Sequence, residues 1–309
     1  MSHSISPDFL KYCSAGIIFG CEQLGGFEWG QVDINKVLRA IEQAVDSGVR
    51  VFDTADCYGK GLSEERLGKV LHSCRSRVVI ASKYGVRFSS DGVYYDSSPE
   101  WATVSLNASL KRLGTDYIDL YQMHYWDKKT DLEDVISQME KFIDEGKIRS
   151  YGFTNVDKIP SKLIGNANFQ TMSLEYSLAN RSKERAAKDY SSRNFSFLSY
   201  GSLGQGMLSG KYKKSSKFSS LDRRSRLEYK NFHGDKYESN LKIVEVISKW
   251  SKRLDMPIPM LALSWIRRAI HNSVPIVGIK NTGQLDGVLG LTDFVLPEEA
   301  FNEFNVVSL

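Results

Sequence analysis

Four polar residues, at the end of an apolar run or in the loop just past one, have types suited to moving a proton. The stretch VFDTADCYGKG, residues 51–61, passes from apolar residues into Asp53, Asp56 and Tyr58 and is punctuated by Gly59 and Gly61. Lys83 stands in ASKYG, and His124 ends DYIDLYQMH. A phenol titrates near about 10. An ammonium beside it favours the phenolate and lowers that value. A carboxylate holds the ammonium by an ion pair, and an imidazole orients or polarises a substrate oxygen. Asp53, Tyr58, Lys83 and His124 would therefore form a proton-donating set if the fold brings them together. Taken singly, each has an ordinary reading: an amphipathic loop tyrosine, a solvated lysine, a hydrogen-bonded histidine. Asp56 has no evident part in this chemistry beyond supporting the turn.

Positioning such a set takes strands that end on one face. Short β-branched or aromatic runs at 15–20, 48–53, 78–82, 117–124, 148–153, 169–174, 195–200 and 273–278 read as strands. Between them lie helical periodicities. Ile34, Val37, Leu38, Ile41 and Val45 make one. Leu132, Val135, Ile136, Met139 and Ile143, closed by Gly146, make another. Trp101, Val104, Leu106 and Leu110 run to Gly114, and Ile243, Val246, Ile247 and Trp250 precede Pro257, Pro259 and Met260–Ile270. Every strand but the last is expected to lead into a helix, which means a parallel sheet. Eight such units predict closure into a (β/α)8 TIM barrel, an α/β fold whose chemistry sits where strands end. An open doubly wound sheet is the alternative. No shift in composition marks a boundary, so residues 1–309 are read as one domain. A basic loop at about 205–238 and a short C-terminal tail lie outside the barrel.

Composition narrows the class. The 309 residues are 41% hydrophobic and 25% charged, as in a globular domain with a large core. The four cysteines, at 13, 21, 57 and 74, form no C-x-x-C pair and no disulfide scaffold; they are read as reduced, in a cytoplasm. The N-terminal MSHSISPDFLKYCSAG lacks a basic region followed by a long apolar core, so no signal peptide is expected. No apolar run of about 18 residues predicts a membrane span. Asn107, Asn180 and Asn194 begin glycosylation patterns, which carry no meaning in a cytoplasmic protein. Residues 213–238 hold eight Lys/Arg and four Asp/Glu, which accounts for the whole net charge of +4. That segment is either a solvated loop or one that helps hold an anionic ligand. A nucleic-acid surface is not expected from one short segment.

Here the chain resembles the aldo-keto reductases, on VFDTADCYG, ASKYG, LGTDYIDLYQMH and GKIRSYGFTN, with likeness running from LGGFEWG to PEEAF. The resemblance implies the (β/α)8 barrel. It implies that Tyr58 is the general acid for carbonyl reduction, that Lys83 lowers its pKa, that Asp53 pairs with Lys83, and that His124 positions the carbonyl oxygen. A nicotinamide cofactor, usually NADPH, would deliver hydride. Gly204–Gly210 lacks the G-x-G-x-x-G spacing, so a Rossmann site is excluded. The resemblance places Thr154 and Asn155 on the nicotinamide carboxamide and Tyr200 on the nicotinamide ring. Ser202, Leu203, Gln205 and Gly206 would lie in the loop over the pyrophosphate. Lys280, Asn281 and Gln284 would lie near the adenosine 2′-phosphate. Ser173 stands where most members carry glutamine. Gly287 and Val288 replace an acid and an asparagine that grip the adenine, and each lost contact costs roughly 1 kcal/mol.

Candidate substrate contacts are Trp29, Tyr84, Arg87 and Trp126, with Phe27, Phe88 and Tyr125 near them. Aromatic residues suit a small-molecule pocket and loop packing equally. The expected partner is a small carbonyl compound, with no metal and no membrane, in a monomer or small homo-oligomer. The alternative is a cofactor-binding regulatory protein similar to the potassium-channel β subunits.

Overall fold

The computed structural model describes residues 9–309 except 157, 159 and 194. The first eight residues of the N-terminal stretch, and Asn194 of the third glycosylation pattern, lie outside the described residues. Eight parallel strands close into a barrel: β1 (Ile18–Gly20), β2 (Val51–Asp53), β3 (Val79–Tyr84), β6 (Leu120–Met123), β7 (Tyr151–Thr154), β8 (Phe169–Glu175), β9 (Ser196–Tyr200) and β10 (Ser273–Gly278). Each expected strand is present, with ends shifted by up to three residues. The closing pair is β1 on β10, with Ile18 opposite Ile276 and Gly20 opposite Gly278.

A two-stranded antiparallel hairpin, β4 (Val86–Ser89) and β5 (Gly92–Tyr95), follows β3 and was not expected as strand. Its signal was the Asp91-Gly92 turn between aromatic and β-branched residues. The outer layer contains α1 (Ile34–Asp46), α2 (Leu62–Leu71), α3 (Pro99–Leu113), α4 (Leu132–Asp144), α5 (Glu184–Ser192), α6 (Gly234–Leu254) and α7 (Ile258–Ala269). After β10 come α8 (Thr282–Asp286) and α9 (Glu298–Val307). Two expectations need correction. Among the described residues the β7–β8 connection carries only the 3-10 turn Ser161–Leu163, and the last strand does lead into helices. The helix ends follow local chemistry: Ser98 caps α3 before Pro99, and left-handed Gly114 closes it. Asp33 and Asp131 cap α1 and α4 through their side chains.

The strand period of two sorts the side chains. Ile18, Val51, Val79, Ala81, Leu120, Leu198, Val274 and Ile276 form one buried apolar cluster, closed by Phe9 and Cys13 at the N-terminal end. Continuing each period toward the strand ends gives Asp53 after Val51, Lys83 after Ala81, and Gln122 then His124 after Leu120. Intervening residues such as Phe52, Ile80, Tyr84, Tyr121 and Met123 belong to the second cluster, between strands and helices. The barrel is thus apolar below and polar at its C-terminal mouth.

The loop carrying Tyr58 is seated by a glycine-on-glycine contact. Gly59 has φ +60, and a Cβ there would lie 2.5 Å from the Gly25 carbonyl oxygen and 2.6 Å from its Cα. A methyl at Gly59 must push the two loops apart. Gly59→Ala is therefore expected to cost roughly 2–4 kcal/mol. Gly48→Ala, at φ +88 but facing open space, should cost only about 1 kcal/mol. Chemical denaturation of the two variants checks this; equal losses would remove the close-packing argument.

Candidate active site

Asp53, Lys83 and His124 are buried at the barrel mouth, and Tyr58 is half-buried over them. The Lys83 ammonium donates to Asp53 Oδ1 at 2.6 Å and to the Thr54 carbonyl at 2.9 Å. Its Nζ lies 5.3 Å from the centre of the Tyr58 ring. The Tyr58 and His124 rings meet edge to face, 5.9 Å between centres. The four residues picked from the sequence are thus brought together. Burial pushes the Asp53 carboxyl up, against the pull of Lys83. Burial lowers His124 well below the ordinary imidazole range, and Lys83 adds to this, so the ring is neutral. The phenol differs from expectation. Burial, then the charges of Glu22 and Asp53, push Tyr58 well above the ordinary value. The lowering expected from Lys83 does not dominate, because its ammonium is already matched by Asp53. Tyr58 therefore holds its proton firmly.

The candidate cofactor residues stand within or after strands β7 to β10. Thr154 is buried at the end of β7, and its Oγ1 has no protein partner. Asn155, at φ 62, donates from Nδ2 to the His124 carbonyl at 3.1 Å and accepts from the Tyr200 hydroxyl at 2.5 Å. Ser173 donates to Gln122 Oε1 at 3.1 Å. Ser202 is buried and donates to the Ser199 and Ile276 carbonyls. Leu203 packs against the core, and Gly206 has φ 93. Gln205 is held between Glu175, at 3.0 Å, and Asn231, at 2.7 Å. The Asn281 side chain caps α8 by accepting from Gln284 N, while Gln284 Oε1 accepts from Lys280 N. Val288 is buried in the core. Lys280 Nζ donates to the Trp29 carbonyl at 2.7 Å. Burial and repulsion from Arg224 and Lys211 push Lys280 down to about 8.

The basic segment is not simply solvated. Arg223 reaches Glu22 at 2.7 Å and Glu28 at 2.5 Å, and Arg226 reaches Glu28 at 2.5 Å. Arg224 pairs with Asp222, donates to the Tyr212 hydroxyl, and lies over the rings of Trp29, Phe218 and Phe232. An isolated bridge joins Trp29 to Asp222. This strap is tied across to the loop after β1.

The profile of the Aldo/keto reductase family matches residues 16–308. The chain belongs to that family. It is accordingly an NAD(P)H-dependent oxidoreductase acting on carbonyl or alcohol groups. Its aldo-keto reductase relatives include YhdN of Bacillus subtilis (strain 168), 30% identical over 93% of this chain and 88% of that protein. Among solved structures, the glycerol dehydrogenase AKR11B4 from Gluconobacter oxydans superposes with a TM-score of 0.82 at 26% identity, over 94% of this chain and 90% of that one. An aldo/keto reductase from Klebsiella pneumoniae, solved with NADP and acetate, shares the fold at TM-score 0.70 and 23% identity, over 95% of this chain and 91% of that one.

The candidate substrate contacts of this aldo-keto reductase fare unevenly. Tyr84 is fully buried and stacks on Tyr121, 5.4 Å between centres. It cannot meet substrate, because strand alternation that points Lys83 inward turns Tyr84 toward the helices. Arg87 is committed to Asp96 at 2.7 Å and to the Trp101 ring at 4.0 Å. Trp29 is buried beneath Arg223 and Arg224. Half-buried Trp126 donates to the Thr130 carbonyl at 2.8 Å. Tyr125 remains at the site, stacked on His124 at 5.1 Å and on Tyr95 of the hairpin at 4.5 Å. Phe27 and Phe88 are exposed. Sequence reading missed Glu22 and Cys57. Glu22 lies two residues past β1, so the rule that chemistry follows strand ends would have found it.

Asp56 sits behind this site. Its Oδ2 accepts from Ser105 at 2.5 Å, and its buried Oδ1 has no partner. Burial pushes it up to about 7; Glu64 adds to the rise, while Ser105 and Arg112 oppose it. The folded value lies above the ordinary 3.8. The stabilising contribution is therefore complete below about pH 4 and lost as pH rises through about 7. Asp56→Asn should gain on the wild type by on the order of a few kcal/mol above pH 7 and gain nothing near pH 4. Urea unfolding at both pH values checks this; a pH-independent difference would sink it.

Proposed function

We propose that this chain reduces a small aldehyde or ketone to the alcohol with NADPH, Tyr58 being the proton donor. The observation that carries the reading is the buried Lys83–Asp53 pair, its ammonium 2.6 Å from the carboxylate and 5.3 Å from the Tyr58 ring centre, with His124 edge-on. The residues fit a nicotinamide dinucleotide. Thr154 offers a buried hydroxyl without a protein partner, beside Asn155. Lys211, Arg224 and Lys280 crowd close enough to repel one another, as groups awaiting an anion do. When bound, the dinucleotide supplies the hydride for the carbonyl carbon. Tyr58 holds the proton that the carbonyl oxygen takes. Lys83 faces the phenolate left behind and offsets its charge, and Asp53 keeps that ammonium in place. Neutral His124 donates a hydrogen bond to the carbonyl oxygen and orients it.

Tyr58→Phe keeps the ring and removes the proton. It is expected to lower kcat for nitrobenzaldehyde by roughly 10²- to 10⁴-fold while leaving NADPH binding unchanged. Wild type and variant that are equally slow would overturn the assignment and favour a regulatory, cofactor-binding role.

Loss of a charge-assisted contact is worth roughly 10- to 100-fold, so Lys280→Met should weaken NADPH by about that factor and NADH by less than about 3-fold. Titration of intrinsic fluorescence measures both; equal weakening would remove Lys280 from phosphate recognition.

A further inference from the structure

The residue before the catalytic tyrosine contacts the catalytic histidine. Cys57 Sγ lies 3.7 Å from His124 Nδ1. It is not fully buried, unlike Cys13, Cys21 and Cys74. Cys57 stands on the loop held by the approach of Gly59 to Gly25, so its position is set by packing rather than by its own rotamer alone. The His124 ring is flanked by Tyr125, stacked on it at 5.1 Å, and by Tyr58, edge-on at 5.9 Å, while the residue's backbone carbonyl is held by Asn155 at 3.1 Å. The ring's Nδ1 is therefore presented to the thiol.

We propose that Cys57 is a positioning residue that selects the tautomer of His124, its thiol donating to Nδ1 so that the imidazole proton resides on Nε2. This rests on the proposed role of His124 toward the carbonyl oxygen. A neutral imidazole carries one proton, and a hydrogen bond at one nitrogen decides which nitrogen holds it. An imidazole nitrogen is a good acceptor, and a thiol sulfur a poor one, so S–H to Nδ1 is the favoured direction. Both groups are in the required states. Burial, with Asp56 adding, pushes the Cys57 thiol up, so it keeps its hydrogen. Burial and Lys83 keep His124 neutral. With Nδ1 so occupied, Nε2–H is the donor left for a substrate oxygen. With Nδ1 protonated instead, Nε2 would present a lone pair to that oxygen and repel it. Among the described residues no carboxylate is bonded to this imidazole, so the thiol does what a carboxylate or carbonyl does for many catalytic histidines.

The test compares Cys57→Ala and Cys57→Ser with wild type in the full chain. Nitrogen-15 shifts of histidine-labelled protein, with His124 assigned through His124→Gln, report the tautomer directly. Wild type and Cys57→Ser are expected to show Nε2–H, and Cys57→Ala a mixture. In nitrobenzaldehyde reduction, Cys57→Ala should lose on the order of 10-fold in kcat with NADPH affinity unchanged, and Cys57→Ser should recover to within about 3-fold. A wild-type Nδ1–H tautomer would overturn the proposal. So would Nε2–H that persists in Cys57→Ala with kcat intact, or a serine variant as impaired as the alanine one. If no carbonyl compound were turned over, the reductase reading would fail, while the imidazole shifts would still decide the tautomer.

Discussion

The ion pair between Lys83 and Asp53 is the constraint on which the rest of the site depends. Burying either charge alone is costly, and removing one partner leaves the other uncompensated. The pair persists because the barrel makes its geometry unavoidable. Asp53 lies opposite Ala81 across the β2–β3 ladder, so Lys83 sits two residues further along the same inward face. Its side chain reaches back to Asp53 and to the Thr54 carbonyl. This fixes the ammonium beside the Tyr58 ring. The same closure sets His124, whose N–H donates to the Tyr84 carbonyl at 2.8 Å.

A second constraint runs across the mouth. The excess positive charge of the chain lies in 213–238, yet three of its arginines spend that charge on Glu22, Glu28 and Asp222. The strap is therefore bound electrostatically to the loop after β1, and Glu22 joins this latch to the Tyr58 phenol through its field. Beside the strap, Lys280 lies within the repulsive field of Arg224 and Lys211, which Asp222 offsets only in part. The two readings of the basic segment are thus not exclusive. Its arginines tie the strap down, and under the proposed function Arg224, with Lys211 and Lys280 from outside the segment, would also face the cofactor phosphate.

The candidate site was legible where its residues are local to a strand end. Asp53, Lys83 and His124 were legible because each terminates an apolar run, and Tyr58 because glycines follow it. Tyr84 was misplaced for a related reason: proximity in sequence to Lys83 was taken as proximity in space, although adjacent strand residues face opposite sides. The partners of Arg87 and Trp29, Asp96 and Trp101 for one and the strap for the other, were not legible, because they follow from the hairpin, the start of α3 and a distant loop. The hairpin was legible from its Asp-Gly turn but was passed over. Glu22 and Arg223 lie 201 residues apart, and nothing local marks them as partners. The Tyr58 titration was misread because a pairwise rule, amine lowers phenol, ignored burial and the acids around both.

The departures from the family pattern gain a physical sense in the fold. Val288 is buried among core residues behind α8, and Gly287 ends that short helix. Neither can reach out to an adenine. Asn281 and Gln284 spend side-chain hydrogen bonds on the start of α8. Lys280, by contrast, is drawn inward to the Trp29 carbonyl, beside the strap. Under the proposed function, recognition of the cofactor's adenosine half rests less on the base and more on its phosphate charge. Charge-based recognition is stronger where the cations are partly desolvated, and burial does desolvate Lys280 and Lys211. An anion there would relieve the repulsion among the three cations as well as attract them.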